Sequence, residues 1–174
     1  MKKGFTTIEL VVALAITFIL LTAVFSLISV SIKYKMWATE QSMLLSNFKV
    51  ASYSMLIDIR NSSSNTGYGV ITPEENELTD VLLIRTRKND VDYYIKYYLS
   101  NSNANTILKK QWVVGNPEPE NGVAVTDNLR QIVKLYFVRQ SGKVVIILVA
   151  YNNTKKAYIT YSTVAYARNT VNLP

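Results

Sequence analysis

Neither Pro nor Gly interrupts the chain between Phe5 and Arg60, and the stretch from Leu10 to Ile32 carries no charge. These two facts constrain the fold more than any others. Roughly 20 apolar residues suffice to cross a bilayer, and in lipid the backbone must satisfy its own polar groups, so the run can only be a helix. It exceeds the roughly 7–15 apolar residues of a cleavable secretory signal, the rival reading of this N-terminus. Residues 5–32 are therefore expected to be a transmembrane half-helix. The helical period continues past them: Trp37, Leu44, Leu45, Phe48, Ala51, Met55, Leu56 and Ile59 recur at steps of three and four. Lys35, Glu40, Gln41, Asn47 and Lys49 mostly fill the intervals, which makes residues 33–60 an amphipathic continuation of the same helix. A helix of about 55 residues at 1.5 Å per residue is roughly 80 Å long. It should stop near Asn61, where Asn61-Ser62-Ser63-Ser64-Asn65-Thr66-Gly67 offers side chains that compete for backbone hydrogen bonds, then a Gly.

The pattern then changes period. Residues 81–87, 91–99, 107–114, 132–139, 144–151 and 157–166 read as strands. In the second, Val91, Tyr93, Ile95, Tyr97 and Leu99 alternate with Asp92, Tyr94, Lys96 and Tyr98. Lys88-Asn89-Asp90, Gln140-Ser141-Gly142 and Asn152-Asn153-Thr154-Lys155 suit short antiparallel connections. Residues 144–149 are apolar on both faces, as expected of a central strand with the helix across one side. Residues 61–174 thus form one domain, an antiparallel β-sheet laid out as a meander, and the fold class is α+β.

Composition narrows the chemistry. The chain has no Cys and no His, which removes disulfides, thiolate metal sites, the commonest metal ligand and the commonest general base. No nucleophile elbow or Ser-x-x-Lys motif accompanies Ser141 or Ser162. No enzyme activity, cofactor or metal is expected. The acidic runs Pro73-Glu74-Glu75-Asn76-Glu77 and Glu118-Pro119-Glu120-Asn121-Gly122 lack the ligand spacing of a calcium loop and read as solvated turns. The formal net charge is +7, two of it from Lys2 and Lys3, without a long basic run. That is a solvated basic surface more than a nucleic-acid stripe.

The junction Gly4-Phe5-Thr6-Thr7-Ile8-Glu9 carries the functional information. A carboxylate at the mouth of an apolar helix is costly in lipid and needs a partner, although a capping position near the helix N-terminus also suits it. Cleavage between Gly4 and Phe5 would remove residues 1–4 as a leader and place a new α-amine four residues before Glu9. Here the chain resembles the type IV pilin superfamily, whose N-terminal signature is Gly-Phe-Thr-x-x-Glu followed by about twenty apolar residues. The resemblance implies that a prepilin peptidase cuts after Gly4 and that Phe5 becomes the N-methylated terminus. It also implies that Glu9 pairs with the N-terminal amine of a neighbouring subunit during assembly. Two departures stand out: the missing Cys, where many members staple the C-terminal region, and Ser26, where many carry a helix-softening Pro.

A second resemblance covers the rest of the chain. The segment from Ser52 to Arg60, Tyr94-Ile95-Lys96-Tyr97-Tyr98-Leu99, Ile107-Leu108-Lys109-Lys110, the segment from Asn128 to Phe137 and the ending from Tyr161 to Asn169 are similar to J-type pseudopilins of type II secretion and W-type minor pilins. That likeness implies a low-abundance subunit at a filament tip that helps initiate assembly in pilus biogenesis, type II secretion or DNA uptake. Its implied partners are other minor and major pilins or pseudopilins, an inner-membrane assembly platform and membrane lipid. Lys2 and Lys3 favour a cytoplasmic leader, though Lys33 and Lys35 make the asymmetry small. The expected location is the inner (cytoplasmic) membrane as a single-pass protein with an extracytoplasmic C-terminal domain, then the pilus or pseudopilus. The alternative is a membrane-anchored binding module for DNA or another ligand. Tyr94, Lys96 and Tyr98, near Arg85 and Arg87, would be its stacking surface, against the simpler reading of Tyr as a good strand residue.

Overall fold

The computed structural model describes residues 6–62, 69–100, 106–126 and 132–166. They form one helix, α1 (Thr7–Asn61), and nine strands: β1 (Gly69–Thr72), β2 (Leu78–Thr79), β3 (Val81–Lys88), β4 (Val91–Ser100), β5 (Thr106–Val113), β6 (Val123–Ala124), β7 (Ile132–Gln140), β8 (Lys143–Asn152) and β9 (Ala157–Tyr166). This is an α+β chain. Its contacts divide it into two compact units, Met1–Glu40 and Gln41–Pro174, and α1 contributes to both.

In the first unit every described residue from Thr6 to Met36 is exposed. Ile8, Ile19, Leu20, Phe25 and Ile28 point to different sides of the helix, so it is apolar all round, the pattern of a segment surrounded by lipid or protein. The hydroxyls of Thr17, Thr22 and Ser29 donate back to the carbonyls of Ala13, Ile19 and Phe25 at 2.8, 2.8 and 2.9 Å. Local back-bonding satisfies these hydroxyls without water, as an apolar surround requires. The helix is long and apolar enough to cross a membrane. Tyr34 and Trp37 meet edge to face, with ring centroids 5.2 Å apart, just beyond the uncharged run. An aromatic pair there matches the rings that favour a lipid–water boundary.

In the second unit α1 is amphipathic. Leu44, Phe48, Ala51, Ser52, Met55 and Ile59 are buried at steps that keep to one stripe. Leu45, expected on that face, is 39% exposed because Leu44 holds the stripe and its neighbour lies a hundred degrees round the helix. The stripe shares one core with Leu82 and Ile84 of β3, Ile95 and Tyr97 of β4, Ile107 of β5, Leu135 and Phe137 of β7, and Val144, Ile146 and Leu148 of β8.

The single meander expected from the sequence is corrected by the strand order. There are two antiparallel sheets, one ordered β1-β3-β4-β5-β6 and the other β2-β7-β8-β9. The physical cause is the long connection after β5, where Gly115, Pro117, Pro119 and Gly122 cannot sustain ladder pairing. The chain also changes sheet early: β2 joins the second sheet before β3 continues the first, and β6 returns to the edge of the first before β7 enters the second. β8 is interior to its sheet; its alternate residues from Val144 to Ala150 are fully buried and the intervening ones half-buried. Two hairpins have two-residue turns with both central residues at positive φ, Asn89-Asp90 (50° and 61°) and Ser141-Gly142 (51° and 73°). That mirror-image turn matches the strand twist and fixes the pairs Lys88 with Val91 and Gln140 with Lys143.

Candidate functional site

Gly4 and Phe5 lie outside the described residues. Glu9 stands at the start of α1, where the Thr6 N–H and the Thr6 hydroxyl donate to its Oε2 at 2.9 and 3.0 Å. In return, the Glu9 N–H donates to Thr6 Oγ1 at 3.3 Å. Thr6-Thr7-Ile8-Glu9 is thus a reciprocal capping box that satisfies orphan donors of the first turn. Sequence reasoning had singled out Glu9 and missed Thr6, although Thr-x-x-Glu before an apolar run is itself the signal. Both bonds fall on one carboxylate oxygen. Among the described residues no hydrogen bond reaches the other oxygen, Oε1.

Tyr94, Lys96 and Tyr98 share one face of the five-stranded sheet. The register sets Arg85 and Trp112 either side of Tyr94, Leu83 and Lys110 either side of Lys96, and Leu108 beside Tyr98. The rings of Tyr94 and Trp112 lie 5.5 Å apart at 44°. The Nζ atoms of Lys96 and Lys110 sit 5.8 and 5.4 Å from the Tyr98 ring centroid, within cation–π range. The cations are not left open to a ligand. Glu118, on the connection after β5, takes Lys96 Nζ at 3.0 and 3.2 Å and Lys110 Nζ at 3.0 Å. The Lys110 hydrogen bond, helped by Lys96 and opposed by partial burial, holds the Glu118 carboxyl below its usual range. The same bond raises the Lys110 ammonium. Arg85 pairs with Asp92 at 2.9 Å, and Arg87 lies 3.6 and 3.8 Å from Asp90 and Asp92. Four cations on this face meet three carboxylates. Gly122 brings the returning connection close: a Cβ there would lie 3.0 Å from Leu108 Cβ and 3.1 Å from the Tyr98 hydroxyl oxygen.

The opposite face of that sheet holds a polar cluster that no sequence pattern had announced. Asp58 Oδ2 accepts from Lys109 Nζ at 2.6 Å and from the Tyr97 hydroxyl at 2.5 Å. Ser54 Oγ lies 2.9 Å from the same hydroxyl. Tyr97 is fully buried. Burial first, and then its hydrogen bond to the Asp58 carboxylate, push its phenol far above the usual range, so it stays a neutral donor. One helix residue is thereby tied to β4 and β5 at once. The end of α1 is closed by related bonds: the Thr86 hydroxyl donates to the Asn61 carbonyl at 3.2 Å, and the Ser62 N–H and hydroxyl donate to the Asp58 and Ile59 carbonyls at 2.9 and 2.6 Å. These supply partners for carbonyls that a helix end leaves over. Beside them lies a polar cleft of about 460 Å³ lined by Asp58, Asn61, Arg87, Lys88, Lys109 and Gln111.

The acidic loops are engaged in ordinary structural contacts. Glu75 pairs with Arg139 at 3.6 Å and accepts from the Ser141 N–H, while Glu77 accepts from the Glu74 N–H at 3.1 Å. Among the described residues no group of acidic side chains is arranged to hold a metal ion. The chain matches no family model, no curated protein and no solved structure.

Proposed function

We propose that this chain is a minor pilin or pseudopilin, a non-enzymatic structural subunit that helps initiate a type IV pilus-like filament. The observation that carries the proposal is Glu9, a carboxylate at the N-terminal end of an exposed, all-round apolar helix, whose hydrogen bonds among the described residues fall on one oxygen. A buried or lipid-facing carboxylate is stabilised when a neighbouring cation enters hydrogen-bond range, and the α-amine of an adjacent subunit is such a cation. Pairing of this kind sets the axial stagger of packed helices. The same reading takes Phe5 as the processed terminus, the prepilin peptidase and assembly platform as transient partners, and the strand-bearing unit as extracytoplasmic. The alternative of a DNA-binding module draws on the Tyr94 and Trp112 rings, but Glu118 and Asp92 already neutralise the cations that would recruit phosphate.

Mass spectrometry of the mature protein tests the processing step. The expected N-terminus is a methylated Phe5 in cells with an active prepilin peptidase. An intact leader there, or cleavage near Ser26, contradicts the proposal.

A further inference from the structure

All 12 of the chain's Asp and Glu stand at or before Asp127, and the residues beyond it carry seven Lys and Arg, the whole of the formal charge of +7. Charge is therefore segregated, and the cationic part contains β7, β8 and β9. Such asymmetry points to an anionic partner. Val144, Ile146 and Leu148 of β8 enter the core, so Val145, Ile147, Val149 and Tyr151 point the other way. The register extends that outward face in rows: Tyr136, Ile147 and Ser162; Lys134, Val149 and Thr160; then Tyr151 and Tyr158. The Tyr151 and Tyr158 rings meet edge to face with centroids 5.3 Å apart, and Tyr158 is 68% exposed. Cations flank this pair along the strands. Lys134 lies one row back, its Nζ 5.9 Å from the Tyr136 ring centroid, and Lys155 and Lys156 stand exposed on the turn that joins β8 to β9. Glu74, Glu75, Glu77 and Asp80 flank β2, the opposite edge strand, where Glu75 is held by Arg139 and the Ser141 N–H.

We propose that this face binds single-stranded nucleic acid, with bases on the Tyr136, Tyr151 and Tyr158 rings and phosphates on Lys134, Lys155 and Lys156. Cations alone select an anion, whereas tyrosines set between them select one that alternates charge with flat apolar groups. Unpaired nucleotides have both features, and stacking on aromatic rings tolerates any base. A bilayer is the poorer fit: lipid takes up apolar side chains that project from a surface, and the projecting turn here is Asn152-Asn153-Thr154-Lys155-Lys156. The contrast with the Tyr94 face is electrostatic. There Glu118 and Asp92 neutralise the lysines and arginines, while β7, β8 and β9 contain no acid at all. The inference uses neither Glu9 nor Phe5, so its failure leaves the filament reading intact.

Fluorescence anisotropy of a labelled 15-nucleotide oligothymidylate, titrated with the full chain in non-ionic detergent, tests it. Three phosphate contacts predict a slope of about −2 for log affinity against log salt. Lys155→Ala with Lys156→Ala should make that slope shallower by about 1.4. Tyr158→Ala should weaken binding about fivefold or more with the slope unchanged, and Tyr158→Phe should keep it. Lys96→Ala, on the other sheet, should bind as the parent does. These side chains are exposed, and far-UV circular dichroism checks that each variant retains its sheet signal. No binding at low salt overturns the proposal, as does an unaltered affinity in Tyr158→Ala. Equally tight binding of a duplex of the same length, or of polyglutamate, reduces the face to a bare cation patch and overturns it too. So does binding to anionic phosphatidylglycerol vesicles with none to the oligonucleotide.

Discussion

Residues 7–36 and 41–61 belong to one uninterrupted helix, yet every described side chain of the first part is exposed while Leu44, Phe48, Met55 and Ile59 of the second are buried. Propensity does not separate them, since neither contains Pro or Gly. The distribution of apolar residues does. Apolar side chains all round leave the first part with no preferred face, so its surround must be apolar everywhere. A single stripe in the second commits it to one sheet-covered side. Polar groups follow the same division. Thr17, Thr22 and Ser29 bond back to their own helix, whereas Ser54 and Asp58 reach across to Tyr97 and Lys109.

The contrast breaks most visibly if equivalent truncations have equivalent effects. Met55→Ala removes a fully buried side chain and is expected to destabilise the strand-bearing unit by about 2–5 kcal/mol. Leu20→Ala, 61% exposed, should change it by less than about 0.5 kcal/mol. Urea titration of the full chain in detergent, followed by the sheet signal in circular dichroism, reads both. Similar losses in the two variants would mean that the two parts of α1 are not distinct environments.

Next in size is the Asp58 cluster. Asp58→Ala leaves the Tyr97 hydroxyl and the Lys109 ammonium without their shared acceptor, a loss of about 1–3 kcal/mol. Lys109 is 26% exposed and recovers some hydration, which keeps the figure below that of a fully buried pair. Tyr97→Phe should cost less, about 0.5–1.5 kcal/mol, and the double variant should fall short of the sum. Full additivity would show that the cluster does not act as a unit.

The legibility of the molecule follows from the same physics. The six long strands were readable because alternation over eight or more residues, as in β4, leaves a period-two trace. β1, β2 and β6 span only two to four residues and leave none. The division into two sheets depends on where the connection after β5 returns, a tertiary outcome that local pattern does not encode. Asp58 was invisible as a site because Tyr97 and Lys109 lie 39 and 51 residues away in sequence, and one acid on a helix resembles any solvated acid. Lys96 was legible as a cation and misleading as a ligand contact, since Glu118, which neutralises it, lies 22 residues further on.

A smaller effect sharpens the comparison at the exposed face of the five-stranded sheet. The Glu118 carboxyl is held below its usual range, so its stabilisation is present above the ordinary Glu value of about 4.3 and is lost as pH falls through the lowered native value. The Lys110 ammonium is raised, so its contribution is present below its ordinary value of about 10.4 and lost as pH rises through the native one. Glu118→Gln should flatten the acid limb of the stability profile and cost less than about 1 kcal/mol near neutrality, because these groups are solvent-screened. An unchanged acid limb would assign the low-pH loss to other carboxylates.

Glu9 tests the assembly claim most directly. Replacing it with Gln preserves size and leaves an oxygen for the Thr6 cap but removes the charge that attracts a neighbouring α-amine. Co-purification or in-membrane crosslinking of Glu9→Gln with pilin-like partners should fall sharply, while leader cleavage and membrane insertion stay normal. Unchanged partner recovery together with unimpaired filament initiation would make Glu9 a helix cap alone and contradict its role in assembly.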